Sequence, residues 1–117
     1  MDLSAFQKWY PLDSLSFKDI PEKWDYGFVY VFRKHSTKEV LYIGSTTNLI
    51  YRLFGNYIGG AGGSTTQRIQ ALLLEEGFIK DTEVAWVETP YYYPEEKHLR
   101  QTYLEQHGRL PLWNKQR

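Results

Sequence analysis

Tyr42, Ile43, Gly44 and Ser45 close a stretch rich in aromatic and β-branched residues, and Arg52 follows ten positions after Tyr42. A second phenol, Tyr30, lies twelve positions before Tyr42, inside Phe28-Val29-Tyr30-Val31-Phe32. Phenols can orient a water or relay its proton, and a guanidinium presents a planar fork of donors that matches a phosphate. Further on come Pro94-Glu95-Glu96 and, near the end, Pro111-Leu112-Trp113-Asn114. A lone glutamate supplemented by waters and phosphate oxygens is a sufficient site for Mg²⁺, a hard ion that keeps much of its hydration. Asparagine does not titrate, so Asn114 can act only by holding other groups through hydrogen bonds.

These side chains act together only if the fold gathers them. Gly27 to Arg33 alternates as a strand, and Lys38 to Ile43 gives a second across the polar turn His35-Ser36-Thr37, which makes a β-hairpin. Thr46 or Thr47 caps a helix whose apolar stripe is Leu49, Leu53 and Tyr57, with Asn48 and Arg52 stacked i,i+4 on the adjoining face. Arg52 then aims back toward the hairpin end that carries Tyr42. The glycine-rich run 59–63 ends that helix. Ser64, Thr65 and Thr66 offer caps for another, with Ile69, Leu72 and Leu73 at core spacing and Gly77 as terminator. Thr82 to Glu88 reads as a third strand. A last helix runs from Pro94, suited to a first helical position, to His107, with Leu99 and Tyr103 inward and Gly108 as its stop. On a helical wheel Glu96 lies about 20 to 40° from that inward stripe and Glu95 farther, so Glu96 is the inward carboxylate.

The elements predict an α+β fold, an α/β sandwich in which a small three-stranded antiparallel sheet is flanked by helices. Residues 1–26 carry Phe6, Trp9, Tyr10, Leu12 and Phe17, interrupted by Pro11 and Pro21. They read as an N-terminal arm or short helix packed on a domain that spans residues 27–117. At 117 residues and 42% hydrophobic content the chain fits one domain with a modest core. The absence of cysteine removes disulfides, thiolate nucleophiles and Cys-based zinc sites, and fits a reducing compartment. No apolar run approaches a membrane span, and Met1-Asp2-Leu3-Ser4 lacks the start of a secretory signal, so the expected location is cytoplasmic. His35, His98 and His107 have no metal-binding spacing and read as surface residues. Lys and Arg balance Asp and Glu at 14 each. That balance argues against strong binding of nucleic acid through overall charge and leaves a local basic face, for which Arg52, Arg68, Arg100, Arg109, Lys115 and Arg117 are the available residues.

The tyrosine of the first motif, Tyr42-Ile43-Gly44, the arginine ten residues on, the helical glutamate and the terminal asparagine, in this order and over roughly Gly27 to Asn114, resemble the GIY-YIG nuclease family. The resemblance implies a metal-dependent endonuclease that hydrolyses DNA phosphodiester bonds. It implies Tyr30, Tyr42, Arg52 and Asn114 as catalytic residues, the first-motif tyrosine acting as general base, and Glu96 as the ligand of Mg²⁺ or Mn²⁺. Gly44, Ser45, Asn48, Tyr57 and Arg68 are the expected substrate-binding positions. A protein partner or a homodimer is compatible with the chain. The sequence departs from the family pattern in three places: Ser45 stands where many relatives carry a basic residue, Asn56 stands where tyrosine or histidine is common with Tyr57 adjacent, and Gly27 comes one position early. The competing reading is a catalytically weak or inactive module of the same fold that binds nucleic acid or protein.

Overall fold

The structure, a computed structural model, describes residues 1–115. At its centre is β2 (Gly27–Lys34), paired with β3 (Val40–Thr46) on one side and β4 (Thr82–Thr89) on the other. A short β1 (Tyr10–Pro11) adds to the far edge of β4, giving an antiparallel sheet of order β1-β4-β2-β3. The near-continuous apolar run of β2 follows from this position, because both of its faces are covered. On one face Phe28, Tyr30 and Phe32 pack with Leu49, Leu53, Tyr57, Ile69 and Leu73. These come from the segment leading into a π-helix (Tyr51–Ile58), from that helix, from α1 (Ser64–Gln70) and from the π-helical turn Ala71–Glu75 that continues it. On the other face Val29, Val31, Ile43 and Ala85 pack against Leu99 and Tyr103 of α2 (Tyr92–His107).

The sheet has four strands where the sequence predicts three. β1 is two residues long, too short to display an alternating pattern, and its Pro11 is tolerated because the strand is an edge. Tyr10 stacks on Trp86 with ring centroids 4.9 Å apart and planes 7° from parallel, which fixes the added strand to β4. The rest of the N-terminal segment forms 3₁₀ turns (Leu3–Ala5, Leu12–Ser14, Phe17–Asp19) instead of a helix. It wraps both layers, with Phe6 on the α2 side and Leu12 and Ile20 on the other.

Caps differ from expectation in their details. Asn48, not Thr46 or Thr47, caps the helix, its Oδ1 accepting the Tyr51 N–H at 3.0 Å, while Thr46 Oγ1 accepts the Asn48 N–H at 3.1 Å. α1 begins after Gly63 without a side-chain cap. α2 begins two residues before Pro94, which sits in the first turn, where a missing N–H breaks no intrahelical bond. Gly77 and Gly108 stop their helices with φ of 79° and 74°, as the sequence predicts.

The feature that positions the site is that β3 is a sheet edge. The C-terminal segment covers it: the Trp113 N–H donates to the Leu41 carbonyl at 2.7 Å. The Ile43 N–H donates to Asn114 Oδ1 at 2.9 Å, and Asn114 Nδ2 donates to the Ile43 carbonyl at 3.0 Å. An exposed edge is thus closed by a side-chain amide that mimics a strand. Around such an edge, groups from the two helical layers can meet. No helix among the described residues is long and apolar enough to cross a membrane.

Candidate active site at the sheet edge

The pairing of β2 with β3 sets Tyr30 opposite Gly44. A Cβ on Gly44 would lie 2.6 Å from Tyr30 Oη and 2.8 Å from Tyr42 Cε2, so the glycine of the Tyr-Ile-Gly motif exists to let two phenols pass. Gly44 is itself buried, so its missing side chain serves the tyrosines instead of receiving a phosphate. Tyr30 is 0% exposed and its hydroxyl shares a 2.6 Å hydrogen bond with that of Tyr57, which is also buried. Ring centroids of Tyr30 and Tyr42 are 6.1 Å apart, and those of Tyr42 and Tyr57 6.2 Å. Burial pushes the Tyr30 pKa well up, and the neighbouring Tyr57 and Tyr42 add to the effect while Arg52 opposes it. Tyr42 is also raised, by burial first and then by Tyr57 and the Glu96 carboxylate, with Arg52 again opposing. The expectation that Tyr30 is the water-facing base therefore meets a buried, already bonded hydroxyl. Tyr57, expected to touch substrate, is the partner of that bond.

Arg52 stands among these phenols. Burial pulls its pKa down, but the phenols of Tyr30, Tyr57 and Tyr42 outweigh this and move it up, so the guanidinium stays charged. Its Nε is buried with no hydrogen-bond partner. The π-helix accounts for the departure at Asn56: with i,i+5 repetition, Tyr57 instead of Asn56 comes one turn after Arg52. Asn56 is turned to a different task, its Nδ2 donating to the Ala61 carbonyl at 2.8 Å to hold the glycine-rich loop.

From the other layer comes Glu96. Ser45 lies on β3, and alternation turns its side chain to the α2 face, where its Oγ donates to Glu96 Oε1 at 2.5 Å. Glu95, by contrast, pairs with the Met1 ammonium at 2.8 Å. Glu96 Oε2 is 3.2 Å from Arg100 Nε, one turn along α2, yet that N–H has no hydrogen-bond partner, so the contact is an ion pair without an aligned hydrogen bond. The Glu96 charge is also felt by Tyr42. Among the described residues no three His, Cys, Asp or Glu side chains converge on a common ion. One hydrogen-bonded carboxylate beside the Arg100 guanidinium fits Mg²⁺ or Mn²⁺ held largely by water and phosphate oxygens, and does not fit an all-protein cage.

A cavity of about 300 Å³ opens at this edge, lined by Tyr42, Ser64, Thr65, Arg100, Asn114 and Lys115. Tyr42 is thus the phenol that reaches open space. Asn114 borders it while clamping Ile43, the residue between Tyr42 and Gly44. Two of the expected substrate-binding residues are engaged elsewhere: Asn48 Oδ1 accepts the Tyr51 N–H, and Arg68 Nη2 donates to the Trp113 carbonyl at 2.6 Å. Of the remaining basic candidates Arg109 pairs with Glu39 at 3.6 Å, and Arg117 lies outside the described residues. The sequence carried one clear signal for a residue not placed in the site, Arg100, which stands i+4 from Glu96 on the same helix.

Over residues 26–107 the chain matches the family model of the GIY-YIG catalytic domain. No curated protein and no solved structure matches it.

Proposed function

The chain belongs to the GIY-YIG family, a family of nucleases, and from that premise we propose that it is a metal-dependent endonuclease that hydrolyses DNA phosphodiester bonds at the edge of β3. The observation that supports this most is the charged, half-buried Arg52, whose Nε lacks an acceptor beside the phenols of Tyr42 and Tyr57. A charged donor with no acceptor from the protein is suited to an anion's oxygen. Phosphoryl transfer needs such a donor, because the oxygens around phosphorus gain charge as the water oxygen bonds and the ester oxygen leaves. Arg52 answers that charge. Tyr42 faces the cavity and orients the attacking water as a neutral hydroxyl. Tyr30 and Tyr57 are positioning residues that fix the Tyr42 ring and the charge of Arg52. Glu96, held by Ser45, is the residue that would hold the ion. When bound, Mg²⁺ or Mn²⁺ supplies Lewis-acid stabilisation of the phosphoryl and leaving oxygens.

A second reading, a weak or inactive binding module, is favoured by one observation: both Glu96 oxygens already have protein neighbours. Nicking of supercoiled plasmid separates the two. The endonuclease reading expects relaxed product with Mg²⁺ or Mn²⁺, none in EDTA, and a loss of at least 10² in rate for Glu96→Gln, the scale of a missing transition-state stabiliser. Intact plasmid with every metal, or cutting unchanged in Glu96→Gln, favours the binding module or another site.

A further inference from the structure

Two buried side-chain polar atoms lack hydrogen-bond partners among the described residues, and both are guanidinium Nε groups, of Arg52 and Arg100. Buried donors of this kind are few in native proteins, and a catalytic role or a bound ion is among the explanations for them. Arg52 has a place in the proposed reaction; Arg100 has none. It leans on Glu96 Oε2 at 3.2 Å with poor alignment, and its side chain is 14% exposed. Arg100 lines the 300 Å³ cavity, whose other charged wall residue is Lys115 and whose remaining polar lining includes Ser64 and Thr65. Among the described residues no carboxylate lines it. In a chain of zero net charge, with Arg68 and Arg109 held by other groups, this is a local concentration of donors and positive charge.

We propose that the cavity receives a backbone phosphate of the nucleic acid beside the scissile one, and that Arg100 binds it by exchanging the Glu96 carboxylate for a phosphate oxygen. The planar fork can satisfy Nε and a terminal nitrogen on one phosphate together, which the present contact with Glu96 does not. The exchange also strips a cation from Glu96 at the moment when the carboxylate is needed for a metal ion. Substrate and ion thereby assist one another, since each relieves the Glu96–Arg100 pair. Lys115 adds a second, flexible charge at the mouth of the cavity. The inference rests on the nuclease reading, with Arg100 as a phosphate-binding residue of that same site.

The test is metal-free DNA binding in EDTA, followed by fluorescence anisotropy of a labelled duplex over a range of salt concentrations. Each phosphate contact contributes about −0.9 to the slope of log K against log salt. Arg100→Gln is expected to flatten the slope by about that amount for unrelated sequences alike, and Arg100→Lys to restore it. Lys115→Gln changes an exposed residue and is expected to flatten the slope similarly, so the cavity remains testable if Arg100→Gln does not fold. A wild-type slope in both glutamine variants overturns the inference while leaving the nuclease reading intact. Failure of the wild-type protein to bind DNA at low salt overturns both.

Discussion

At Gly44 the space for a methyl group is already occupied by the Tyr30 hydroxyl and the Tyr42 ring. Gly44→Ala is therefore expected to destabilise the fold by about 1–3 kcal/mol, the usual cost of overpacking, and to abolish cleavage by displacing both phenols. Urea unfolding of the variant checks the first part; wild-type stability would mean that the rings move aside freely. The pH dependence of the rate belongs to the same residues. Tyr42 stays protonated through neutral pH. His35 pairs with Glu83 and His107 stacks on Tyr103, so both are engaged outside the proposed site. The rate is expected to climb from pH 6 to about pH 9 without a falling limb as water becomes easier to deprotonate. A bell centred near pH 6 would point to a histidine. The candidate residues came from their resemblance to the family motif, but their hydrogen-bond partners were not legible in the sequence. Tyr57 falls outside α-helical register with Arg52, and the Ser45–Glu96 hydrogen bond spans 51 positions of chain.

Asn114 shows what an element contributes beyond its residues. Its amide replaces a neighbouring strand at Ile43, and so holds the segment between Tyr42 and Gly44 straight. Asn114→Ala leaves a buried backbone N–H and carbonyl without partners and is expected to cost about 1–3 kcal/mol. Hydrogen exchange should quicken at the Ile43 amide more than at β2 amides; uniform protection would contradict the clamp. The hairpin, the third long strand and the last helix were readable because their apolar patterns and stop signals are strong, Gly108 above all. β1 was not, because two residues carry no period and it exists only through pairing with β4 and the Tyr10–Trp86 stack. The π-helical turns were not either, since the stripe of Leu49, Leu53 and Tyr57 fits an ordinary helix until Tyr57 is asked to meet Tyr30.

At the scale of the whole molecule the sheet separates two helical layers, with Arg52 and the phenols in one and Glu96 and Arg100 in the other, and Tyr42 feels the charges of both Arg52 and Glu96. That arrangement buries phenols, and it has a consequence for stability. The folded pKa values of Tyr30 and Tyr42 lie above the unfolded value of about 10. Their neutral forms contribute stability fully below pH 10, and the contribution is lost as pH rises through the folded values. Of the 10 tyrosines, these two are expected to ionise only as the protein unfolds in alkali, seen as a late, cooperative rise in phenolate absorbance. Simple titration of all ten near pH 10 would contradict the buried cluster. The central claim, that Arg52 and Glu96 serve one centre, is tested most directly by single-turnover cleavage with Arg52→Ala, Glu96→Gln and the double variant. Each single change is expected to lower the rate by on the order of 10² to 10³ with little loss of stability. Because the two act on one transition state, the double variant should be scarcely slower than the worse single one. Losses that multiply would place the two residues in separate sites and contradict the account.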